Sequence, residues 1–66
     1  MNMGGGGHII IRNSIKQALS DPLVHGVLST KQTAIIDPIL AKDTSAWTAD
    51  DDSNAQRIFT WAAQNC

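Results

Sequence analysis

The chain has 66 residues, 42% of them hydrophobic and only 17% charged, with a formal net charge of −1. That length fits one domain, and a domain so small buries only about 60% of its unfolded surface, leaving a thin margin of stability. The single cysteine, Cys66, excludes an internal disulfide, and five cations against six acids count against a nucleic-acid footprint, which needs clustered positive charge.

The charged share lies below the quarter that is usual for a soluble domain. Either a partner covers apolar surface, or the plentiful Ser, Thr, Asn and Gln carry the solubility. Arg12, Lys16 and Lys31 against Asp21 give +2 over residues 1–36. Lys42 and Arg57 against five aspartates give −3 over residues 37–66. This weak dipole suits orienting a partner or a further copy of the chain. The start at Met1–Gly7 has no cationic segment of the signal-peptide kind. No stretch approaches the roughly 20 apolar residues that cross a bilayer. A lone cysteine without a targeting signal gives a cytoplasmic expectation.

Residues 1–7, MNMGGGG, read as a flexible tail ahead of a single domain at 8–66. A phosphate loop is a poor reading of the glycines, because no strand precedes them and no Lys-Ser or Lys-Thr pair follows. In the next stretch Ile11, Ile15, Ala18 and Leu19 share a helical face, which predicts a first helix over 10–20. The β-branched run Ile9–Ile11 also suits a short strand at 8–12, so an α+β fold with that strand is the alternative. Asp21-Pro22 ends this helix and starts another over 22–28, with Asp21 as cap and Pro22 in the first position. Ser29 and Gln32 match a capping box for a helix over 30–41. Within it Asp37-Pro38 repeats the earlier dipeptide, so a fresh helical turn from Asp37 competes with a kinked continuous helix. Residues 43–48 form a polar loop around Trp47. Thr48 and Asp51 make an Asp-containing capping box for a last helix over 49–64, whose apolar face is Ala55, Ile58, Phe59 and Ala62. Asp50, Asp51 and Asp52 in its first turn complement the exposed amides there. Trp47, just before the cap, is placed to fold back onto this helix. The fold expectation is therefore all-α, a bundle of three or four short helices.

Chemistry has little material. His8, His25 and Cys66 are the only soft ligands and no two are closely spaced, whereas structural zinc needs about four in close pairs. The aspartate triplet lacks the order of a calcium loop, so capping explains it better than a metal site. There is no glutamate and no tyrosine, and a cysteine–histidine pair would need a third orienting group. The expectation is a chain that is not an enzyme, with no catalytic residue, metal or cofactor. Trp47, Trp61, Phe59 and Ile58 are the large apolar groups around the last helix. They are read either as core or as anchors of a binding surface with Asp50, Asp51 and Asp52 as its charged rim. Residues 22–29, PLVHGVLS, are too apolar to read base edges, and residues 9–17, with Arg12, Asn13, Lys16 and Gln17, are better suited but too thinly charged. The sequence thus points to a small protein-binding regulatory, inhibitory or accessory chain. The alternative is a structural subunit of a larger complex, a small non-catalytic subunit of an enzyme, or a chain that binds copies of itself.

Overall fold

The computed structural model describes residues Gly4–Asn65, with side chains from Ile9 onward. Residues 1–3 of the expected tail, the His8 side chain and Cys66 lie outside the described residues. Four helices follow in order: α1 (Gly4–Ser20), α2 (Pro22–His25), α3 (Thr30–Leu40) and α4 (Ala49–Asn65), with a 3₁₀ turn at Thr44–Ala46 before α4. The fold is all-α, and no strand occurs among the described residues. The alternative strand at 8–12 is therefore corrected to helix. These residues run without a break into Asn13–Ser20, and the described residues hold no strand to pair with them.

Local chemistry sets the helix starts. Asp21 caps α2 by accepting from the Leu23 amide at 2.9 Å, and Pro22 occupies the first turn. Ser29 and Gln32 complete a reciprocal capping box at α3. Thr48 and Asp51 do the same at α4, with bonds of 3.0 and 3.1 Å. Helix α2 is shorter than predicted. Beyond His25, the Val27 and Leu28 amides bond to carbonyls three residues back, which tightens the chain into a turn. Helix α3 runs through Pro38 instead of restarting at Asp37. The proline lies in the last turn, where its missing N–H removes one bond, and the burial of Ile36 and Ile39 holds the helix together around it.

The core is built from one stripe of each long helix. Ile15 and Leu19 of α1 meet Ile36 and Ile39 of α3 and Ala55, Ile58 and Ala62 of α4. The spacings of four, three, and three then four are those of single helical faces. Val24, Val27, Leu28 and Leu40 cover the edges of this cluster. Trp47 supplies the largest side chain in the core, at 5% exposure, and its indole N–H donates to the Ile39 carbonyl at 3.0 Å. The same carbonyl accepts from the Lys42 amide at 3.1 Å. Trp47 thus fills the core and gives a carbonyl at the end of α3 a second donor.

Candidate functional site

The predicted anchors do not converge. Trp47 and Ile58 are core residues, so neither offers a side chain to a partner. Phe59 and Trp61 are 36% and 37% exposed, and they flank the buried stripe of α4 on opposite sides. Two residues apart on a helix means a turn of about 200°, so the pair cannot form one face. Of the two readings offered by the sequence, Trp47 and Ile58 follow the core one, while Phe59 and Trp61 are part-exposed on separate sides of α4.

The acidic triplet is divided in the same way. Asp51 caps α4 and accepts from the Lys42 ammonium at 2.7 Å. The Lys42 bond, then the Thr48 amide bond, hold its carboxyl below the usual carboxylate range. Asp52 accepts from the Gln56 amide at 3.1 Å and lies 3.8 Å from Arg12 Nε. Asp50 is exposed at the surface. Two of the three carboxylates therefore serve the fold. No group of three His, Cys, Asp or Glu among the described residues is arranged to hold a metal ion.

A polar strap, illegible in the sequence, accounts for Arg12, Asn13 and Lys16. Arg12 reaches the carbonyls of Thr44 and Trp47, each at 3.4 Å. Thr44 donates its hydroxyl to Asn13 Oδ1, and Lys16 donates to the Lys42 carbonyl at 2.7 Å. One side of α1 thereby fastens the α3–α4 connection and adds donors to the Lys42, Thr44 and Trp47 carbonyls. Within that connection, Ser45 bonds Asp43 through hydroxyl and amide and lowers its carboxyl below the usual range. On the far side His25 Nε2 and Asp37 Oδ1 sit 2.8 Å apart and fasten α2 to α3.

The other side of α1 is apolar and uncovered. Ile10 is 67% exposed and Ile11 54% exposed. With Ser14 and Ile15 they form one wall of an open groove whose other wall is Gln56, Phe59 and Thr60 of α4. None of these residues is charged. Of the predicted anchors only Phe59 belongs to this groove. A signal for it did exist in the sequence: successive helical residues turn by about 100°, so three consecutive isoleucines span an arc too wide for one core-facing side. No helix among the described residues is long and apolar enough to cross a membrane. Comparison with family models, curated proteins and solved structures found no match to this chain.

Proposed function

We propose that this chain is a small protein-binding accessory or regulatory module that acts by docking and carries out no chemistry of its own. The observation that carries the reading is the uncovered groove between α1 and α4, with Ile10, Ile11 and Phe59 exposed around it. Burying such side chains yields about 25 cal/mol per Å² of apolar area, and contiguous apolar surface on a small protein is typical of interaction sites. The rim is hydroxyl and amide (Ser14, Gln56, Thr60), which suits a polar edge around an apolar centre. The cytoplasmic setting expected from Cys66 belongs to the same proposal.

The test places a photo-cross-linking residue at position 10 or 59 of the full chain in its producing cells, with positions 31 and 57 as controls. A discrete protein adduct from 10 and 59 that the control positions do not give is the expected result. Equal adducts from all four positions, or none from the groove, would overturn the reading.

A further inference from the structure

We draw no further inference here: the strongest candidate, the uncharged apolar groove between α1 and α4 beside Ile10, Ile11 and Phe59, belongs to the face already read as a binding site, and nothing in the structure shows what covers it.

Discussion

The two sides of α1 reverse the usual division of labour. On one side Arg12, Asn13 and Lys16 spend their hydrogen bonds on the segment from Lys42 to Trp47. On the other side Ile10 and Ile11 face water, although they are the more apolar residues. A helix serving only the fold would hide its isoleucines and expose its cations. The comparison teaches that the polar side fastens α1 to the α3–α4 connection, whereas Ile10 and Ile11 lie outside the core and stay exposed. The predictions below run from the groups that hold the fold to those that lie outside its core.

The largest effect belongs to Trp47→Ala. It empties the biggest site in the core and leaves the Ile39 carbonyl with one donor fewer. A loss of about 3–5 kcal/mol is expected, enough to unfold much of a domain this small at room temperature. Urea denaturation followed by circular dichroism reads it directly.

Arg12→Met keeps the apolar stem and removes the guanidinium, so the Thr44 and Trp47 carbonyls lose a donor. The Arg12 Nε is itself buried without a hydrogen bond, 3.8 Å from Asp52, which offsets part of the loss. The expected cost is about 1–3 kcal/mol in the same denaturation, with faster amide exchange over residues 42–47.

Smaller again is Ser29→Ala, which opens one half of the α3 capping box. About 1 kcal/mol is expected. Because Gln32 still reaches the residue 29 amide, the start of α3 should fray without the rest of the helix melting.

Acid acts on the α3–α4 connection and on the start of α4. The carboxyls of Asp43 and Asp51 titrate below 3.8 in the folded chain. The folded state therefore binds these protons less readily than the unfolded state. Their contribution is complete above that ordinary value and disappears as pH falls through the lowered ones. Stability measured against pH should fall below about pH 4, and Asp51→Asn should flatten that fall.

The smallest effect on stability is expected on the apolar side. Ile10→Ser should change the unfolding free energy by no more than about 0.5 kcal/mol in the same urea denaturation. A much larger loss would mean that Ile10 belongs to the fold, and the contrast between the two sides of α1 would fail.

Legibility in the sequence followed the range of the interactions. Asp21-Pro22, Ser29 with Gln32, and Thr48 with Asp51 act within four residues, and all three were readable as caps. The apolar spacing of α1, α3 and α4 was readable because it repeats along one helix. Asp37-Pro38 was ambiguous because the dipeptide alone does not decide its setting. After Ser20 it starts a helix at Asp21, whereas seven residues into the capped α3 it is carried through by the burial of Ile36 and Ile39. Trp47 stayed open between core and surface anchor because its partner, the Ile39 carbonyl, lies eight residues back across a turn. The strap from Arg12 to Trp47 joins residues 35 apart, and no pattern of spacing announces it. For the groove, the isoleucine run carried the signal. Which isoleucine would be left over depends on where α4 crosses α1, and that is a property of the packed bundle.

The most direct test of the central claim adds a soluble paramagnetic probe to the purified chain and reads the δ-methyl resonances of its isoleucines. The Ile10 and Ile11 methyls should broaden strongly, while those of the buried Ile36, Ile39 and Ile58 stay sharp. Ile10 and Ile11 methyls as protected as those of Ile36 and Ile58 would contradict it.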